Sequence, residues 1–295
     1  MKRFAFILSC LLVLPCLSAS AGVKSDSLKE EANKVARSSQ FDFIGRYTKD
    51  GERFSCCVLI DKKYALTTAG AFLHLLNKAS TDNSSNITNN LSRFKVIFGD
   101  DTVKIVKYQV HPSYSETTSM GSGRSGNIGQ YNAVILELDK PIRNIVPASL
   151  CNSGDEMERK AINVRIDRNI KKTDNGIIDS IIRNGEFVSI AGMTGGIEKG
   201  KETLLISFSE SPDISKMKPM PQEEVELNRR YNLHIPCGLY TENNGEWELT
   251  GMLTLTNHSF NTGSPNNIEN PPKDEARFVR ISSIYEWLKK EINIK

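Results

Sequence analysis

The 295-residue chain carries 38 Lys and Arg against 35 Asp and Glu, with 39% hydrophobic and 25% charged residues. That is an ordinary globular composition, with room for one large or two mid-sized domains, and it indicates neither intrinsic disorder nor a membrane protein. A net charge of +3 gives no electrostatic drive toward nucleic acid or acidic lipid.

The first 21 residues, MKRFAFILSCLLVLPCLSASA, set Lys2 and Arg3 before an apolar run and end in Ala19-Ser20-Ala21. This three-part pattern reads as a secretory signal peptide over 1–21. The run is broken by Ser9 and Pro15 and falls short of a membrane span. Cleavage would remove two cations, taking the net charge from +3 to +1 (3 − 2), and two of the six cysteines, Cys10 and Cys16. Cys56, Cys57, Cys151 and Cys237 then remain as possible disulfide cysteines. Export favours oxidation, but four cysteines allow three pairings and the sequence does not choose among them. No CxxC or His-rich spacing suggests zinc, so neither a metal nor a cofactor is expected.

Residues 22–38 read as a polar lead. Beyond them, short runs rich in β-branched and aromatic residues recur between turn signals: FDFIGRY (41–47), FSCCVLI, YALTTA, RFKVIF (93–98), VKIVKYQV (103–110) and AVILEL (133–138). The second half adds EFVSIAG, TLLISFS, CGLYT, WELTGMLTLT and ARFVRI. Asn243-Asn244-Gly245 predicts a hairpin turn, because Asn and Gly tolerate positive φ. Many short strands with few helical patterns predict an all-β sandwich or a pair of barrels. Three stretches read as surface insertions: 77–92, 153–185 and 257–275. The charged part of the second, 155–172, is expected as a solvated loop or short helix, with a partner-binding surface as the alternative. Asn83, Asn86, Asn90 and Asn257 begin N-x-Ser/Thr sequons, which matter only in a eukaryotic host. At the C-terminus Ile284, Trp287, Leu288 and Ile292 fall at helical spacing, predicting an amphipathic helix over 282–292 capped by Ser282 or Ser283.

Several of these blocks resemble, in order, the trypsin-like (chymotrypsin-fold) serine proteases. FSCCVLIDKKYALTTAGAF is similar to the family's FCxGxLIxxxxVLTAAHC, VHPSY to its HPxY turn, and NAVILELDKPI to DIALLKLDKPV. PASLCNSGD resembles the PICLP segment, GLYTENNGEWELTGMLTLTN resembles GPLVxxxNGxWxLVGIVSWG, and ARFVRISSIYEWLKK resembles the closing strand and helix. The resemblance runs from about Ser39 to Ile292. It implies two six-stranded antiparallel β-barrels with a C-terminal α-helix: a domain over 39–295, with barrel 1 at about 39–145, barrel 2 at about 186–281 and the helix at 282–292.

Hydrolysis by that family needs a serine, a histidine base and an aspartate that orients it. The resemblance puts Gly70 at the histidine position and Asn132 at the aspartate position. LHIPCGLY (233–240) replaces the nucleophile loop, with Ile235 at the serine position, or Cys237 if a two-residue deletion is allowed. Pro236 there has no N–H to donate to an oxyanion. The family's cystine beside the histidine would fall near Ser55 and Ala71, so both halves are missing. NRRYN (228–232) shows no specificity-pocket acid. The resemblance therefore implies a secreted, catalytically degenerate homologue acting as a non-catalytic protein-binding or regulatory module. Its partner would be an unidentified extracellular protein, or a periplasmic one in a bacterium. The alternative is an active trypsin-fold peptidase, serine-type or with Cys237 as nucleophile. Cys237 would need an imidazole within hydrogen-bond reach, and His74, His111, His234 and His258 all read more simply as loop or surface residues.

Overall fold

The computed structural model describes residues 21–50, 53–77, 91–114, 131–173, 176–192, 204–209, 234–257 and 274–293. The expected signal peptide, the sequons at Asn83, Asn86 and Asn90, the NRRYN stretch and His258 lie outside them.

Six antiparallel strands close the first barrel: β1 (Ile44–Lys49), β2 (Arg53–Asp61), β3 (Tyr64–Thr67), β4 (Phe94–Phe98), β5 (Asp101–Val110) and β6 (Val134–Leu138). Their order around the ring is β1-β2-β3-β6-β5-β4. In β4 the residues Phe94, Val96 and Phe98 are buried while Lys95 is exposed, the period-2 signature of a strand with one face on a core. A helix after β3, α2 (Ala69–Asn77), drops Phe72 onto that core. The Phe72 ring lies 5.8 Å from Tyr47, 5.4 Å from Phe94 and 5.3 Å from Tyr108, in the tilted and edge-on geometries that aromatic quadrupoles favour.

The second half contributes β7 (Ser149–Leu150), β8 (Ala161–Thr173), β9 (Gly176–Gly192), β10 (Leu204–Ser209), β11 (His234–Asn243), β12 (Glu246–Asn257) and β13 (Asp274–Arg280). These run β11-β8-β9-β10-β13-β12-β7, and a further β11–β12 pairing closes six of them, with β7 added in parallel on β12. The β11–β12 hairpin turns where the sequence predicts it, with Asn244 at φ 53° and Gly245 at φ 85°. The last helix, α3 (Ile281–Ile292), buries Ile281, Ile284, Leu288 and Ile292. The molecule is thus mostly β, with a closed six-stranded barrel, a second sheet and a C-terminal helix, as the sequence leads one to expect.

Three local expectations need correction. Residues 153–185 are not a surface insertion: β8 and β9 pair from Ala161–Val188 to Thr173–Gly176 and supply the longest ladder in the second sheet. Ile162, Val164 and Ile166 are buried with Arg165 exposed between Val164 and Ile166, so Arg165 occupies an outer position of a half-buried strand. The second sheet consequently begins well before residue 186. The cap of α3 is Arg280, without a side-chain cap hydrogen bond, while the Ser283 hydroxyl donates to Arg280 O at 2.6 Å. Finally, the polar lead is a helix, α1 (Ala21–Ala36). It docks on β9 through buried Ala32 and Ala36, and Asn33 Oδ1 accepts the Gly185 N–H at 3.1 Å. Only glycine allows this approach, since a Cβ at residue 185 would stand 2.6 Å from Ala32 O.

An aromatic cluster joins the halves, and a buried ion pair ties the second half to its closing helix. Phe41 and Phe43, leading into β1, pack on Tyr240 of β11 with ring centroids 5.1 and 5.7 Å away. Just beyond β7, Glu156 is fully buried and takes a bidentate ion pair from Arg280, Nε–Oε1 3.0 Å and Nη2–Oε2 2.7 Å, plus a hydrogen bond from the Ser282 hydroxyl at 3.0 Å. A carboxylate tolerates that depth only because its oxygens are so fully answered.

Candidate functional site

Gly70 stands in the first turn of α2, where backbone N–H groups have no partner within the helix. Asn132 supplies one, its Oδ1 accepting the Gly70 N–H at 2.8 Å. The loop before β6 fixes Asn132 for this. Tyr131 adopts the left-handed conformation (φ 54°), Ala133 N–H donates to Tyr131 O at 2.7 Å, and His111 N–H donates to Ala133 O at 3.0 Å. The structure therefore does bring these two sequence-predicted positions together.

A third residue, Tyr114, belongs to the same place and was not singled out from the sequence. A Cβ built on Gly70 would lie 3.4 Å from the Tyr114 hydroxyl and 3.6 Å from each terminal atom of the Asn132 amide. The HPxY turn carries Tyr114 there, its N–H donating to His111 O at 2.9 Å. A backbone amide, a carboxamide and a phenol thus meet at Gly70; none of them is an imidazole or a carboxylate.

The other half of the expected site is strand. His234, Ile235 and Pro236 pair with Asp167, Ile166 and Arg165 of β8, and the register slips between Pro236 and Gly238, leaving Cys237 on a bulge. The side chains of His234 and Ile235 lie outside the described residues. Cys237 is 1% exposed. Its thiol lies close enough to those of Cys56 and Cys57 on β2, and to the Tyr240 phenol, to perturb them, while the Cys56 thiol donates to Cys57 O at 3.7 Å. Burial, and next the neighbouring Cys237, push both the Cys56 and Cys57 thiols well above the ordinary cysteine range, which keeps them protonated and unreactive.

Cys151 sits apart from this cluster, its thiol 3.7 Å from Ser153 O and 3.6 Å from Ser153 Oγ. No disulfide joins any of the four described cysteines. Of the histidines, His74 is exposed on α2. His111 is buried, stacked on Tyr131 at 4.6 Å and edge-on to Trp287 of α3 at 4.7 Å, with its Nδ1 accepting the Ser113 N–H at 3.1 Å. Desolvation lowers its pKa from the ordinary histidine value.

A groove of about 580 Å³ runs between the first barrel and the β8–β9 hairpin, lined among others by Arg46, Ile97, Ile145, Ile166, Ile181 and Arg183. It contains none of Gly70, Asn132, Tyr114 or Cys237. Among the described residues no helix is long and apolar enough to cross a membrane.

Comparison with protein families finds no matching family, and comparison with curated proteins finds no match. Among solved structures the fold matches mouse neuropsin, described as a serine protease expressed in the limbic system of mouse brain. The TM-score is 0.51 and the identity 14%, over 88% of this chain and 98% of that one. Identity so low speaks for architecture and not for chemistry. What the likeness carries is the fold: the chain has the architecture of the trypsin-like serine proteases.

Proposed function

We propose that this chain is an exported, non-catalytic protein of trypsin-like fold that acts by binding another protein. The observation carrying the proposal is at Gly70. The position matching the family's base has no side chain, and the residue matching its acid is a carboxamide spent on holding the Gly70 N–H. Acyl transfer by this scaffold needs a base to take the nucleophile's proton and a carboxylate to hold that base. The strand character of residues 234–236 agrees with the reading. An oxyanion hole needs free, convergent N–H groups, whereas this backbone is paired with β8 and includes Pro236. Cys237 does not replace the serine, because a thiol 1% exposed on a buried bulge cannot meet a peptide carbonyl.

Export rests on the pattern of residues 1–21 and makes the partner an extracellular or periplasmic protein. Two rigid barrels hold their connecting loops in fixed relation, which is what a binding scaffold requires. The test is turnover. The purified chain should cleave neither casein nor a fluorogenic peptide library above a buffer blank, and should take no label from a fluorophosphonate or, under native conditions, from an iodoacetamide probe at Cys237. Hydrolysis that disappears in Cys237→Ala, or in a single histidine variant, overturns the proposal.

A further inference from the structure

Thiols from both halves and the Tyr240 phenol gather where β2 of the first barrel touches β11 of the second sheet. Cys56, Cys57, Cys237, Tyr47 and Tyr240 are all buried, and the Tyr240 hydroxyl has no hydrogen-bond partner. Cys56 and Cys57 are neighbours on one strand, so their side chains leave it on opposite faces and they cannot both aim at β11. The register shows which one does: Tyr47, inside the barrel, pairs with Ser55, so Cys57 shares that inner face and Cys56 takes the outer one toward β11, where the neighbouring Cys237 perturbs its thiol. On the other side, the bulge between Pro236 and Gly238 takes Cys237 out of the β8 ladder, and bulges re-aim side chains in this way. Cys151 is held separately at Ser153.

We infer that Cys56 and Cys237 are a cross-linking pair, and that in an oxidising medium they form a single disulfide tying β2 to β11 and so the first barrel to the second sheet. Of the pairings that the cysteine count leaves open, the geometry selects this contact and leaves Cys57 and Cys151 reduced. The oxidant is a small or protein-borne disulfide, R–S–S–R. One cysteine thiolate attacks a sulfur of R–S–S–R, forming a mixed disulfide and expelling RS⁻, which takes up the proton lost. The second cysteine then attacks the protein-side sulfur and releases the other RSH. Two cysteine thiols are oxidised by two electrons, and one oxidant disulfide is reduced to two thiols. With Cys56 3% and Cys237 1% exposed, oxidant reaches them only before the two halves close. The bond therefore forms during folding and afterwards resists reductant in the native state.

The test uses the full chain, unfolded in reductant and refolded in glutathione redox buffer, then alkylated, digested without reduction and read by mass spectrometry. The expected product is a Cys56–Cys237 linked peptide, with Cys57 and Cys151 alkylated only after denaturation. A dominant Cys57–Cys237, Cys56–Cys57 or Cys151-containing link, or four free thiols, overturns the inference. A second readout does not depend on mapping. Refolding with reductant kept in the buffer, and no alkylation, should lower the thermal midpoint by about 5–15 °C relative to the oxidised protein. Cys237→Ser should already sit at that lower midpoint and respond no further. An equal drop on reduction in wild type and Cys237→Ser would place the effect elsewhere and reject the pair. Because the chain is refolded in a defined buffer, the outcome does not depend on export or on the absence of catalysis.

Discussion

The first barrel and the second sheet bury their residues by different means. The centre of the barrel is aromatic and apolar, with Tyr47, Phe72, Phe94 and Phe98 fully enclosed, and each packs without needing a charged partner. The second half also turns an apolar row inward, Ile162, Val164 and Ile166. Yet it encloses a whole carboxylate, Glu156, against Arg280 where the chain enters α3. Apolar packing degrades gradually as contacts are lost, whereas a buried ion pair fails at once when one member goes. The comparison teaches that the link between the second sheet and its closing helix is the more brittle part of the fold.

The largest expected effect follows from that contrast. Arg280→Ala should cost about 3–5 kcal/mol, because it leaves Glu156 buried and unanswered. Replacing both partners by apolar residues of similar volume, Glu156→Leu with Arg280→Met, should recover most of the loss. Urea unfolding of the three proteins measures this directly. If the double variant is no better than Arg280→Ala, the pair acts through the Ser282 hydrogen bond and helix placement, and the comparison loses its electrostatic basis.

A smaller effect probes the seam between the first barrel and α3. His111 lies between Tyr131 and Trp287, with Ser113 N–H on its Nδ1, and desolvation depresses its pKa. The folded state therefore resists protonation more than the unfolded chain, whose histidine titrates near the ordinary value of about 6.5. Below that value the unfolded state binds the extra proton, so stability is full above it and is lost as pH falls toward the folded pKa. The thermal midpoint should hold steady from pH 8 to 7 and decline below pH 6.5, and His111→Phe should flatten the decline. An unchanged slope in that variant would assign the acid sensitivity to other groups.

Much of this architecture was legible in the sequence, for physical reasons that can be named. FKVIF and AVILEL are apolar but for Lys95 and Glu137, and the Asn-Asn-Gly turn favours a tight hairpin, so the barrel strands and the β11–β12 hairpin could be read directly. The β8–β9 hairpin is harder to read, because the charges of Arg165, Asp167 and Arg168 mask the alternation of Ile162, Val164 and Ile166. At the candidate site, Gly70 and Asn132 were found through the family's motifs. Tyr114 and the Cys56–Cys237 contact were not, since each depends on how distant strands meet. Nothing local in FSCCVLI says which of its two cysteines faces β11.

The smallest predicted effect bears on what Gly70 and Asn132 now do. If they are the remains of a catalytic pair retained only by descent, changing either should matter little. If Asn132 serves as the side-chain partner of the α2 start, the two positions should respond unequally. Gly70→Ala adds a Cβ whose nearest neighbours are at 3.4 and 3.6 Å, ordinary contact, and gains slightly in helix propensity, so its stability should stay within about 0.5 kcal/mol of wild type. Asn132→Ala removes the acceptor of the Gly70 N–H in this half-buried turn and should cost about 1 kcal/mol. Asn132→Asp keeps the acceptor and places a negative charge at a helix N-terminus, so it should match wild type or exceed it by about 0.3–1 kcal/mol. Urea titrations of the three variants decide between the readings. An order in which Asn132→Ala is as stable as Asn132→Asp would mean that the 2.8 Å contact carries no stabilising role, and α2 would then be held in place by its buried side chains, Phe72, Leu75 and Leu76.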